Sequence, residues 1–209
     1  MPARKRGKAR QFWSKQLHAW HWISAAVSLA GMLVFSVTGL TLNHAASIGA
    51  EPEVRTFTAA LSPTAQAALA QGSDTGLAPL PRTVAGELAA KTGITAAGRD
   101  AEWSADEVYI AVPGPGRDAW ASIDRATGSI EAELTDRGAI SFLNDLHKGR
   151  NTGTAWFWFI DLLAVASIVF TITGLLLLQL HARKRPSTWP LVGFGTALPV
   201  IVIVFFLHL

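Results

Sequence analysis

The sequence predicts an α-helical membrane protein with three transmembrane spans and a small α+β module between spans one and two. Three observations carry this. Half of the 209 residues are hydrophobic and only 16% are charged, with mean hydropathy +0.30, too apolar a balance for an average soluble domain. Three apolar runs, about 23–42, 156–180 and 191–207, contain neither Lys nor Arg, and Asp161 is their one acid. Between the first two runs the chain changes character, with short alternating stretches broken by Gly and Pro turns.

The chain opens on a basic tail, 1–16, where Arg4, Lys5, Arg6, Lys8, Arg10 and Lys15 stand without an acid. Span one follows over 17–44. Each run of roughly 17–25 residues, rising about 1.5 Å per residue, reaches across a hydrocarbon core of about 30 Å. The first is longer than the 7–15-residue core of a secretory signal, so it reads as an uncleaved anchor even though Ala45-Ala46 follows it. Residues 45–81 read as a linker rich in Ala, Ser, Thr, Gly and Pro, with one short helix around 63–70. The module proper is 82–146. In it, Val84, Leu88 and Ala89 share a helix face before Gly93, and strands are predicted at 107–112, 119–123 and 129–134. The bend Asp124-Arg-Ala-Thr-Gly128 suits a β-hairpin, Asp capping it and Gly supplying positive φ. Span two with its lead-in occupies 147–182, where Gly149, Asn151 and Gly153 interrupt any helix before Trp156. A basic loop, 183–189, holds Arg183, Lys184 and Arg185, and span three fills 190–209 with Pro199 inside it.

Charge placement sets the expected orientation. The middle segment 45–154 has nine Lys/Arg against fourteen Asp/Glu, whereas both basic clusters lie beside span ends. The positive-inside rule then puts the two clusters in the cytoplasm and the middle segment outside. Basic residues pressed against a bilayer explain the pI near 9.6 without any nucleic-acid partner. Trp13, Trp20, Trp22, Trp156, Trp158 and Trp189 sit at the expected boundaries, as amphipathic indoles do. The absence of cysteine excludes disulfides, thiolate metal sites, Fe–S clusters, a Cys nucleophile and thioether-linked haem. The module shows no Ser/His/Asp grouping and no carboxylate cluster with metal spacing.

Five of the six histidines flank the two strongest spans. His18 and His21 stand at the inner end of span one and His181 at the inner end of span two; His44 and His147 form an outer pair. The sixth, His208, reads as a terminal interfacial residue. Ionisable side chains at membrane depth are costly and mark ion, proton or cofactor paths, and neutral imidazole is a haem-iron ligand. Either group can supply axial ligands to a haem between helices; the plainer alternative is that the imidazoles only anchor the spans. Thr38-Gly39-Leu40 and Thr173-Gly174-Leu175 repeat one tripeptide. Their glycines, five residues before His44 and seven before His181, would let a flat macrocycle approach the backbone. One difficulty is length: His18 to His44 is 26 residues, roughly 39 Å of helix, so two haems would have to reach inward from the ends, or there is one.

The motifs Leu17-His18-Ala-Trp20-His21-Trp22, Thr38-Gly39-Leu40-Thr-Leu42-Asn43-His44, Asp124-Arg-Ala-Thr-Gly128, Leu146-His147-Lys-Gly149-Arg150 and Thr173-Gly174-Leu175 stand in this order along the chain. In them the protein resembles the PepSY-associated transmembrane proteins, particularly the short three-span members. The resemblance implies a bacterial cell inner-membrane protein with a periplasmic PepSY-like module, carrying one or two b-type haems and moving electrons across the bilayer. It implies His18, His44, His147 and His181 as haem-iron ligands, with His21 a further inner cofactor-binding candidate, and an oxidoreductase of ferric-reductase type or an electron-transfer subunit. The donor would be cytoplasmic or a quinol and the acceptor periplasmic, a ferric chelate or siderophore among the options. Larger relatives have a further span, and some a flavin- and nicotinamide-binding domain; this chain shows no dinucleotide fingerprint. A homodimer or partner subunit is therefore expected to complete the bundle. The rival expectation is a non-enzymatic, membrane-anchored module that binds a periplasmic protein or peptide along a sheet edge.

Overall fold

The computed structural model describes residues 3–48, 51–96 and 98–207, so His208 lies outside the described residues. The elements run α1 (Ala3–Asn43), β1 (Glu53–Ala60), α2 (Pro63–Ala70), β2 (Gly76–Pro79), α3 (Arg82–Thr92), β3 (Asp100–Trp103), β4 (Glu107–Ala111), β5 (Arg117–Asp124), β6 (Ser129–Asp136), α4 (Gly138–Lys148), α5 (Gly153–His181), a 3-10 turn (Ala182–Lys184) and α6 (Thr188–Phe206). They form two compact units, Met1–Val34 with Phe159–Leu209, and Phe35–Trp158.

The first unit is helical. Among the described residues, three helices, over Gln11–Asn43, Gly153–Lys184 and Thr188–Phe206, are long and apolar enough to cross a membrane. Most of their large side chains, such as Leu29, Leu33, Leu162, Ile168 and Phe205, are exposed. Without water in a hydrocarbon core backbone groups must be bonded internally, as they are in these helices, and the outward apolar surface is what lipid covers. The inward surface is different. Ser24 and Ser28 are buried on α1, each returning its hydroxyl to a carbonyl one turn back, Trp20 O at 2.7 Å and Ser24 O at 2.7 Å. Gly31 continues that small-residue line, and a Cβ there would fall 2.6 Å from Leu163 of α5. Small residues at helix contacts are the usual means of close approach in membranes. None of the described residues of α6 is buried.

The second unit is built on a six-stranded antiparallel sheet, ordered β1-β6-β5-β4-β3-β2. Val108 and Ile110 of β4, Ala121 and Ile123 of β5, and Ile130 and Ala132 of β6 alternate onto one face and are buried there. Ala65 and Leu69 of α2, and Val84 and Leu88 of α3, are completely buried in the same core. This corrects the linker expected over 45–81. That stretch contains β1, which pairs with β6 from Glu53↔Asp136 to Ala60↔Ser129, and β2, which pairs with β3. Its Thr and Ala residues give β1 little periodicity of its own; partner strands, not side-chain pattern, define it. The short helix over 63–70 is present, with Ser62 accepting from Ala65 N–H at 3.3 Å as its N-cap. Glu87 of α3 accepts from both the backbone N–H and the hydroxyl of Ser62, and pairs with Lys91 at 3.1 Å. Those bonds hold its carboxyl at about 2, well below the ordinary 4.5.

The predicted hairpin bend is formed by one carboxylate. Asp124 Oδ1 accepts from Ala126 N–H, Thr127 N–H and the Thr127 hydroxyl, at 3.0, 2.7 and 2.8 Å, and Gly128 has φ 71°. The Thr127 bonds lower the Asp124 pKa.

The boundary expected at 146/147 also needs correction. It falls inside α4, a helix absent from the expectation. α4 ends where Gly149 turns left-handed at φ 67°, and Asn151 and Gly153 follow with φ 57° and 80°. The interruption before Trp156 is therefore real, and His147 precedes it on a helix of its own.

Candidate functional site

α4 is fixed to the sheet by a buried carboxylate. Asp145 Oδ2 accepts from the Gly116 N–H at 2.8 Å and from Arg137 at 3.0 Å, while Arg137 also reaches Asp118 at 3.2 Å. Gly116 has φ 67°, and a Cβ there would lie 2.7 Å from the Phe142 backbone, so glycine is required for α4 to approach. One residue earlier, Asn144 accepts from the Thr41 hydroxyl at 3.0 Å. Trp156 donates to the Leu146 carbonyl at 2.9 Å.

These bonds deliver His147 to the end of α1. Its Nδ1 lies 2.8 Å from Thr38 Oγ1, and the Thr38 hydroxyl itself donates to the Phe35 carbonyl at 3.2 Å. A hydroxyl proton given to that carbonyl leaves the threonine oxygen to accept from His147 Nδ1. The Phe35 ring lies 5.0 Å away, tilted by 40°. A Cβ on Gly39 would stand 3.4 Å from His147 Cε1.

The helical unit repeats this arrangement with different partners. His21 Nδ1 donates toward Thr173 Oγ1 at 3.1 Å and the Phe170 carbonyl at 3.2 Å. Thr173 is buried, and its own hydroxyl proton goes to the Val169 carbonyl at 2.7 Å. The Phe170 ring stacks on His21 at 4.5 Å and 15°. A Cβ on Gly174 would stand 3.2 Å from His21 Cε1. Gly174 lines one cavity with His181, whereas the ring nearest Gly39 is that of His147 and not of His44. Each glycine makes room for an imidazole brought from another helix.

The other three histidines are exposed and bond to their own helices. His18 Nδ1 donates to Ser14 O at 2.7 Å, His181 to Leu177 O at 2.9 Å and His44 to Leu40 O at 3.0 Å. His18 and His181 approach each other, ring centroids 6.4 Å apart and planes at 85°. His21 sits over Gly174, and His181 is seven residues, roughly 10 Å, further along α5. This is why the residue one turn earlier on α1, and not His21, meets His181. His44 touches no other imidazole among the described residues.

A carbonyl oxygen can only accept, so Nδ1 of His18, His21, His44 and His181 carries a proton, and in a neutral ring of that tautomer Nε2 holds the lone pair. Among the described residues, no Nε2 of the five takes part in a hydrogen bond. Within the helical unit, a mostly apolar cavity of about 710 Å³ is lined by His21, Phe170, Gly174, Leu178, His181 and Arg185, among others. Sequence reasoning did not single out Phe35, Phe170, Thr38, Thr173, Asn144 or Arg185 for a role. The available signal was the longer repeat Phe35-Ser-Val-Thr38-Gly39-Leu40 and Phe170-Thr-Ile-Thr173-Gly174-Leu175, each of which holds one imidazole.

The PepSY_TM-like family model matches residues 12–208. The chain belongs to that family. Family membership thus covers both units and every histidine described above. No curated protein and no solved structure matches the chain.

Proposed function

We propose that this PepSY_TM-like protein is a transmembrane electron-transfer protein of the bacterial inner membrane that holds b-type haem, with its sheet module in the periplasm. The observation that carries the reading is the common state of the five imidazoles, with Nδ1 engaged and Nε2 uncommitted. Metal-binding histidines commonly have this form, the second nitrogen fixing tautomer and ring orientation. Among the described residues no three His, Asp or Glu side chains converge. Haem iron needs only one or two protein ligands, so the donor set fits haem better than a bare three- or four-ligand ion.

His18 and His181 would hold the inner group. Their rings stand near each other, centroids 6.4 Å apart, so one group between the helices could be reached by both. The cavity lining is mostly apolar, and Arg185 within it suits the acid groups that such a macrocycle bears. His147 and His44 are the outer candidates, one seated on Thr38 and the other at the end of α1. Haem iron, when bound, supplies a one-electron couple whose potential follows its axial ligands and their hydrogen bonds. The chain's own work is to orient the ligands and keep the path dry. Electrons would pass from a cytoplasmic-side or quinol donor to a periplasmic acceptor such as a ferric chelate, with a second copy or partner subunit completing the bundle.

Detergent-purified protein is expected to show a Soret band that shifts on reduction, with one or two haems per chain. His18→Ala and His181→Ala should each lower haem content together. A colourless protein after expression with haem supply, or unchanged content in both variants, would sink the reading.

One observation favours a second reading: β1 is an edge strand of the sheet, available for pairing with an extended peptide. A multi-histidine variant that keeps a captured periplasmic partner and the phenotype would favour that module-only role.

A further inference from the structure

The repeated hexapeptide has a function that neither the spacing of histidines nor the haem reading requires. In both copies, an imidazole from another helix lies against the phenylalanine, brings Nδ1 within hydrogen-bond distance of the threonine hydroxyl oxygen and occupies the space a glycine leaves open. We infer that Phe-x-x-Thr-Gly-Leu is a histidine seat used twice, and that Thr173 and Thr38 are positioning residues fixing His21 and His147 in the Nδ1–H tautomer. Both threonines are buried at no more than 7% exposure, so water does not easily replace them as acceptors. Both also donate their own hydroxyl proton to a helix carbonyl, leaving the oxygen able only to accept from the ring. A single tautomer therefore follows from the backbone of each helix, and its consequence is an Nε2 lone pair directed by protein structure.

The role of these two nitrogens as iron ligands or ligand neighbours rests on the electron-transfer reading; the tautomers do not. Seat geometry is also separable from the generic bonds of His18, His44 and His181. Those reach a carbonyl four residues back, which any helical histidine can find, whereas His21 meets Thr173 and the Phe170 carbonyl, and His147 meets Thr38, all on another helix and more than 100 residues away in sequence.

The test reads tautomers directly, by long-range proton–nitrogen correlation spectra of full-length, histidine-labelled protein in detergent, without added haem. Wild-type His21 and His147 are expected as Nδ1–H. Thr173→Val should lower the Nδ1–H to Nε2–H ratio of His21 about fivefold, the weight of one net hydrogen bond, and leave His147 unchanged. Thr38→Val should do the reverse, and Thr→Ser at either site should restore the wild-type ratio. Should a valine variant fail to accumulate, Gly174→Ala replaces it: the added methyl displaces the His21 ring and shifts its signals alone. An Nε2–H form at either wild-type ring, or ratios and signals indifferent to these changes, overturns the inference. Haem uptake is scored on the same samples. Seats that behave as expected in a protein that binds no haem uphold this inference while removing the electron-transfer reading.

Discussion

The two histidine seats use the same six-residue pattern but differ in how the imidazole arrives. His21 comes from the middle of a long membrane helix, and its seat lies in the helical unit, where Phe170 stacks nearly parallel on the ring. His147 comes from α4, which is held by a buried carboxylate to a six-stranded sheet, and Phe35 meets its ring at a tilt. Shared chemistry sits on the receiving helix: an aromatic, a hydroxyl and a gap within two turns. What differs is the rigidity of the delivering element. In one seat helix packing alone sets it, whereas in the other a soluble-type domain with its own hydrophobic core does so. A membrane segment and a folded module can thus present an imidazole in the same way for different physical reasons.

The largest expected effect breaks the second seat's delivery. Asp145→Ala removes the acceptor for Gly116 N–H and one partner of Arg137, leaving a half-buried guanidinium undercompensated. About 3 kcal/mol of stability should be lost from the sheet unit. Denaturant melts followed by Trp fluorescence, with proton–nitrogen spectra alongside, should show His147 disordered and His21 untouched. Equal disturbance at both imidazoles would mean the seats are not separately supported.

Closer to the rings, Gly174→Ala should cost about 1 kcal/mol through crowding at His21. Gly39→Ala should cost less, because its added carbon meets His147 at 3.4 Å rather than 3.2 Å. Thermal midpoints of the two variants measure this order, and a reversed order would mean the glycines serve something other than imidazole clearance.

The smallest effect lies away from both seats. Glu87, folded at about 2 against an ordinary 4.5, binds its proton less readily in the native state. Its contribution to stability is therefore full above about pH 4.5 and declines as pH falls toward 2. Asp124, lowered in the same sense, adds to that acid loss. Glu87→Gln should flatten the melting-temperature profile in this window while leaving the histidine signals unchanged. An identical profile in wild type and variant would show that the Ser62 bonds do not matter to folding.

Much of this architecture was legible in advance. Runs of apolar residues mark the three membrane-length helices because hydrocarbon tolerates nothing else. The strands at β4, β5 and β6 followed from alternation, and Asp124 to Gly128 from turn chemistry. β1 was not legible because Ala and Thr carry no strong period, and its identity as a strand comes from lying beside β6. α4, as long as the predicted α3, was missed because it lies directly between a strand and a glycine-rich break. As for the site, composition exposed five flanking histidines, and the repeated tripeptide was visible. Its meaning was legible only in part: Gly174 does share a cavity with His181, but the rings nearest Gly39 and Gly174 come from other helices.

The order of apolar runs, basic clusters, turns and histidines along one dimension determined the helices, several strands and the set of candidate side chains, since these depend on local composition and period. Only tertiary structure decided which imidazole meets which hydroxyl, that His18 rather than His21 approaches His181, and that Asp145 fixes α4. Those pairings join residues far apart in the chain, and a hydrogen bond of about 3 Å is specified by packing in space rather than by spacing in sequence.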